Sequence, residues 1–311
     1  IQYHITHRTT YTYGEPVSLC QNVAHLKPRD WPRQWCERTV LSITPEPAVL
    51  EDRIDYFGNP ATYFTVQEQH RELVVSATHR ITLRPGRPPD GAYTPPWEAV
   101  RDTLPGNRGW AWLDAYQFAF DSRFAAGRPE FAAYALRSFA PGRPVLDAAL
   151  DLTRRIHHDF VYDSRATTVA TPVWEVFENR RGVCQDFAHL QIACLRALGL
   201  AARYVSGYLS TVPPPGRPRL VGADATHAWV SVFCGADVGW VDLDPTNDQI
   251  PGDRHVLLSW GRDYDDVSPV KGVILGGGQH AVAVSVDVRP VDGTDGPANL
   301  LHADGEANGV A

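Results

Sequence analysis

Residues 181–199 read Arg181-Gly182-Val183-Cys184-Gln185-Asp186-Phe187-Ala188-His189-Leu190-Gln191-Ile192-Ala193-Cys194-Leu195-Arg196-Ala197-Leu198-Gly199. Gly182 permits a tight turn into a helix and Gly199 supplies a left-handed stop, which predicts a helix from about Cys184 to Leu198. Cys184 then sits in the first turn, where unpaired N–H groups and the positive end of the helix dipole stabilise an anion. A thiolate is favoured there. The other four cysteines, Cys20, Cys36, Cys194 and Cys234, read as small buried hydrophobes.

A nucleophilic thiol needs a base, and the base needs a group to fix its tautomer. Downstream, Thr226-His227-Ala228-Trp229-Val230-Ser231-Val232-Phe233 alternates like a strand, with His227, Trp229, Ser231 and Phe233 on one face. The strand Gly239-Trp240-Val241-Asp242-Leu243-Asp244 puts Trp240, Asp242 and Asp244 on one face too. If the two form a hairpin with Phe233 opposite Trp240, Asp244 falls opposite Trp229 and diagonal to His227, and Asp242 falls farther off, opposite Ser231. This geometry prefers Asp244, although a register shift of two would weaken the choice. Trp229 and Trp240 read as sheet core and as candidate cleft walls.

Before the helix, residues 1–83 read as β: Tyr3, Ile5 and His7 alternate with polar neighbours, as do Leu73, Val75, Ala77, His79 and Ile81. Asp55-Tyr56-Phe57-Gly58-Asn59-Pro60 is turn chemistry between them. A sandwich-like N-terminal domain is expected. Residues 84–96 are rich in Pro and Gly and read as a linker. An amphipathic helix is predicted over about Pro144 to His158, with Val145, Leu146, Ala149, Leu152 and Ile156 on one face. Further strands are predicted over Ala202 to Ser210 and Ala281 to Val288, with a proline-rich loop, Thr211 to Pro218, that reads as a surface loop or a lip over the site. The division expected is 1–83 β domain, 84–96 linker, 97–291 core with a helical lead-in, and 292–311 extended tail.

The 311 residues are 43% hydrophobic and 21% charged with nine Trp, a folded composition, and Lys plus Arg minus Asp plus Glu gives 29 − 36 = −7. That acidic balance, with basic residues scattered, argues against nucleic-acid and anionic-membrane partners. No run is long and apolar enough for a membrane helix and the start is not signal-like, so a cytoplasmic protein is the default expectation. Met is absent throughout, so residue 1 is read as other than the first translated residue. Five widely spaced cysteines without a C-x-x-C pair favour a reducing compartment over a disulfide scaffold or thiolate zinc site. His157-His158-Asp159 invites a metal reading, but adjacent helical histidines point about 100° apart, and no H-E-x-x-H occurs. No metal and no cofactor are expected.

The segments Arg181 to His189, Tyr204-Val-Ser-Gly-Tyr208, Asp224-Ala-Thr-His-Ala-Trp229 and Gly239-Trp-Val-Asp-Leu-Asp-Pro-Thr-Asn247 resemble the bacterial branch of the transglutaminase-like superfamily, which shares its core with papain-like cysteine proteases. The N-terminal β region with Phe57-Gly-Asn59 is similar to the extra β domain of that branch. The resemblance implies an α+β fold, with a Cys-bearing helix packed on an antiparallel sheet. It implies Cys184 as nucleophile, His227 as base and acid, and Asp244 as the carboxylate that orients His227. Where the family commonly carries Met, this chain has Gln191.

The chemistry expected is attack of Cys184 on a glutamine carboxamide or peptide amide, with His227 protonating the departing nitrogen. The thioester then passes to a primary amine or to water, so a peptide or protein is the expected substrate, with an amine acceptor in the transfer case. The Cys184 N–H is a candidate oxyanion donor, and Gln185, Trp174 and Trp229 are further candidates for oxyanion or substrate contact. A cysteine protease or amidase, and a non-catalytic scaffold of the same fold, are the alternatives. The same residues serve transfer and hydrolysis.

Overall fold

The protein is described by a computed structural model over residues 1–84, 86–211 and 226–291. Most of the proline-rich loop and the tail 292–311 lie outside the described residues. Five strands come first: β1 (Gln2–Ala24), β2 (Gln34–Thr44), β3 (Val49–Ile54), β4 (Pro60–Val66) and β5 (His70–Leu83). A helical stretch follows, with α1 (Trp97–Thr103), α2 (Trp110–Tyr116), α3 (Pro129–Leu136) and α4 (Val145–Asp159). The short parallel pair β6 (Val161–Tyr162) and β7 (Arg181–Gly182) brackets α5 (Val173–Asn179) and leads into α6 (Cys184–Ala197). Then come β8 (Ala202–Leu209), β9 (Thr226–Phe233), β10 (Trp240–Leu243), β11 (His255–Gly261), α7 (Tyr264–Val267), β12 (Val270–Gly276) and β13 (His280–Pro290).

Helix α6 is covered on several sides, and its buried polar residues Asp186, Gln191 and Arg196 are hydrogen-bonded to neighbouring elements. Every residue from Asp186 to Arg196 is buried. It packs on β8 and β9 and on α3, α4 and α5. Helix α4 instead buries one stripe, Leu146, Ala149, Leu152 and Ile156 among it, as its 3.6-residue period requires. Gln191 ties the two helices, its Nε2 donating to Thr153 Oγ1 at 2.8 Å.

The sheet under α6 runs β10-β9-β8-β11, antiparallel throughout. The hairpin register has Trp240 opposite Phe233 and Asp242 opposite Ser231, as the alternation predicts. The outer edge of β11 is finished by two amide side chains instead of another strand. Gln34 accepts from the Leu257 N–H (2.8 Å) and donates to its carbonyl (2.7 Å), and Asn59 does the same for Trp260 at 3.0 and 2.9 Å. Both side chains are buried, so each imitates one rung of a strand and satisfies backbone groups that would otherwise be orphaned.

The N-terminal β region is one hydrogen-bonded sheet built on the 23-residue β1. The first half of β1 pairs with β5 and β13, and the second half with β4 and β12, across a register break between Thr12 and Val17. The break folds the sheet over itself, so that Val17, Cys20 and Phe64 meet Leu73, Val75 and Ala77 in one apolar cluster.

Two expectations about the division of the chain change. Strands β12 and β13, grouped with 97–291, pair with β1 and complete the N-terminal sheet. The end of the 84–96 segment is packed: Gly91 and Thr94 are buried, and Thr94 Oγ1 accepts from the Leu146 N–H at 3.2 Å at the start of α4. The two sheets share a third cluster, in which Ile5, Ile81, Val286 and Val288 pack on Tyr208, Val256 and Leu258.

Candidate active site

The start of α6 is fixed without a polar side chain at the residue that precedes it, Val183. Asp186, in the first turn, reaches back: its Oδ2 accepts from the Val183 N–H at 2.8 Å and from Thr167 Oγ1 at 2.6 Å. A Cβ on Gly182 would stand 2.7 Å from that oxygen, which is why the turn into the helix needs glycine. Burial raises the Asp186 pKa against the pull of these two bonds. Cys184 is thereby held at the helix mouth, half-buried, with a first-turn N–H that has no acceptor within the helix.

Strand β9 presents His227 directly across from Gly207 of β8. Its Nε2 lies 2.8 Å from Asp244 Oδ2, and the ring hydrogen-bonds the Cys184 thiol. With Nε2 engaged, Nδ1 is the nitrogen left for the sulfur. Burial disfavours the imidazolium, but the bonds and charges of Asp244 and Cys184 outweigh it and push the His227 pKa up to about 10.

Asp244, at the end of β10, is fully buried. Its Oδ2 faces three donors: His227 Nε2, His255 Nε2 at 3.1 Å and Asn247 Nδ2 at 2.7 Å. Its Oδ1 accepts from the backbone N–H of Thr246 at 3.0 Å and of Asn247 at 3.3 Å. Burial alone would raise its pKa, yet the bonds from the two imidazoles dominate and hold it well below the usual carboxylate range. His157 of α4 steadies this turn through Thr246, Nδ1 to carbonyl oxygen at 2.9 Å.

His255 was not anticipated from sequence, and neither was Asn247 in this role. The Gly252 N–H points at His255 Nδ1 (3.4 Å), which leaves Nε2 as the donor to Asp244. Among the described residues, His227, Asp244 and His255 are the one set of three metal-type donors within 4.8 Å of one another. To bind a cation there, both Nε2 atoms would have to give up their bonds to Asp244.

The other sequence candidates separate. Gln185 lines the same cleft as Cys184 and His227, about 370 Å³ in volume. Trp229 is buried, and its Nε1–H is committed to Asp242 at 3.1 Å. Its ring instead lies beside both His227 and His255, at 6.1 and 5.4 Å between centroids. Trp174 is 38% exposed and lines a neighbouring cavity with Arg123, Arg128 and Lys271, away from the walls of the Cys184 cleft. Burial raises the thiol pKa of Cys20 and Cys36, pushes Cys234 up to about 12 and raises Cys194 further.

A helix that opens on a cysteine, packed on an antiparallel sheet that carries the facing histidine, defines a papain-like α+β protein. Residues 3–82 match the bacterial transglutaminase-like N-terminal region and residues 132–245 the transglutaminase-like superfamily core. An uncharacterized protein of Mycobacterium tuberculosis is 44% identical over 97% of this chain and 95% of its own length, and one of Mycobacterium leprae 32% identical over 91% and 97%. The chain belongs to the transglutaminase-like superfamily. A protein-glutamine gamma-glutamyltransferase of Pseudomonas aeruginosa is 35% identical over 40% of this chain, a match that takes in 19% of that protein. In fold, the chain is similar to a candidate cysteine protease from Cytophaga hutchinsonii, with a TM-score of 0.71 and 22% identity, covering 94% of this chain and 91% of that one.

Proposed function

We propose that the protein catalyses thiol-dependent acyl transfer from an amide, with Cys184 as nucleophile, His227 as acid and base, and Asp244 as the carboxylate that orients and charges His227. The observation that carries this reading is the unbroken chain from the Cys184 thiol through His227 to a buried Asp244. Cys184 Sγ adds to the carbonyl carbon, and the C–N bond breaks as His227 protonates the departing nitrogen. A primary amine, or water, then gives its proton to His227 and displaces the sulfur, yielding a new amide or an acid. The Cys184 N–H, with Gln185 beside it, is the proposed oxyanion support. The substrate is a peptide or protein. The described cysteines are all unpaired, which fits a reducing compartment such as the cytoplasm.

The test is product mass from a glutamine-bearing protein, with and without an added primary amine. Gain of the amine with loss of ammonia supports transfer, whereas conversion of the carboxamide to a carboxylate with loss of ammonia, or fragments that together gain one water, supports hydrolysis. Cys184→Ala should abolish both while retaining the thermal transition of the parent, and dialysis against EDTA should leave turnover unchanged. Turnover that survives in Cys184→Ala rules the assignment out.

A further inference from the structure

The cleft that holds Cys184 and His227 has a wall from the other sheet. Three cross-strand pairs of β1 and β13 stack along it: His7 with Val286, Thr9 with Val284, and Tyr11 with Val282. The pair farthest into the sheet is buried, with both His7 and Val286 1% exposed. The outer valines are open, Val282 at 50% and Val284 at 55%. Among the described residues, β13 hydrogen-bonds to β1 alone, and every residue from His280 to Ser285 is exposed. An apolar edge strand left so bare attracts other chains unless an occupant is provided for.

The rest of the lining agrees with an uncharged occupant. No Asp, Glu, Lys or Arg is among the described residues that line this cleft, and Tyr162 and Val169 extend the apolar surface. The cavity next to it is of opposite character, with Arg123, Arg128 and Lys271 against the single carboxylate of Asp265. The valines line the same cleft as Cys184, so a polypeptide whose amide reaches the sulfur can rest on them.

We propose that the β1–β13 wall is the specificity surface of this site, and that Val282 and Val284 select acyl-donor polypeptides whose residues flanking the reactive carboxamide are uncharged and apolar. The inference rests on the acyl-transfer reading for its substrate class. A charged flank would lose water against the valines without gaining a partner. The N-terminal β region thus contributes to recognition as well as to folding.

The test uses covalent labelling, which needs no turnover. Pentapeptides carrying a side-chain chloroacetamide at the central position, flanked by Val, Asp or Lys, are reacted with the full chain, and labelling of Cys184 is followed by peptide mapping against iodoacetamide. The Val-flanked probe should label about tenfold faster than either charged probe, the range expected for a small apolar contact, and Val282→Asp with Val284→Asp should bring the ratio under about threefold. Val284→Asp alone should shift the order toward the Lys-flanked probe. An unchanged thermal transition shows that the variants are folded, and each probe rate is divided by the same variant's iodoacetamide rate, so that a change in thiol reactivity cancels from the ratio. A flank preference that is absent, that survives the double variant, or that favours Asp through the cationic cavity overturns the proposal. If the labelling follows the prediction but no amide is converted, the acyl-transfer reading fails while the wall stands.

Discussion

Asp244 is the residue on which the site converges. Five donors reach its two oxygens, which is enough to keep a fully buried carboxylate ionised. That charge keeps the His227 proton in place up to about pH 10. Replacing it with a neutral amide removes a force that raises the His227 pKa, so the imidazolium gives up its proton at lower pH. Asp244→Asn should therefore reduce kcat/KM by about 10²–10⁴-fold and move the alkaline limb of the alkylation profile of Cys184 toward acid. A profile whose alkaline limb stays in place would mean that Asp244 does not set the charge on His227. His255→Gln, which leaves the His227–Asp244 bond standing, should lose less activity than Asp244→Asn.

At the scale of elements, the Trp229 ring packs closely on Gly207 in the neighbouring strand. A Cβ on Gly207 would lie 2.4 Å from the ring and 2.1 Å from the Val256 carbonyl oxygen, so this glycine lets the indole take its place beside His227 and His255. Gly207→Ala should destabilise the fold by about 1–3 kcal/mol and lower Cys184 reactivity, both measurable by thermal unfolding and alkylation rate. An unaltered melt would show that the sheet accommodates the methyl group. The β9–β10 hairpin was legible because alternation fixes its faces and a short loop fixes its register, and α6 was legible from its two bounding glycines. Strand β11 was not. His255-Val-Leu-Leu-Ser-Trp-Gly261 is buried at every position, so it shows no alternation, and His255 is missed along with the strand that carries it. Nor could local pattern reveal that Gln34 and Asn59 finish the edge of β11, since those contacts span 223 and 201 residues.

Across the whole molecule, neutral histidines are built into the packing. Burial lowers His7 to about 4, His79 to about 3 with help from the charges of His7 and His4, and His189 to about 3 with help from Arg196. Each binds fewer protons folded than unfolded once the pH drops below about 6.5. Their contribution to stability is complete above that pH and is lost as the pH falls toward the folded values, of order 3 kcal/mol for each. Urea unfolding between pH 6.5 and 4 should show this slope, and His79→Gln should remove about one proton of it. A slope unaffected by that change would place the acid sensitivity elsewhere.

The pairing of β1 with β13 brings Tyr3 opposite Pro290. Closing a loop of that length is entropically expensive, and a fold that depends on such distant partners forms slowly. In chain order, the helix with Cys184 and the strands with His227 and Asp244 precede Val282 and Val284. The valine wall is thus the part of the cleft that is made after the residues it faces, and the cleft is complete only once β13 has paired with β1.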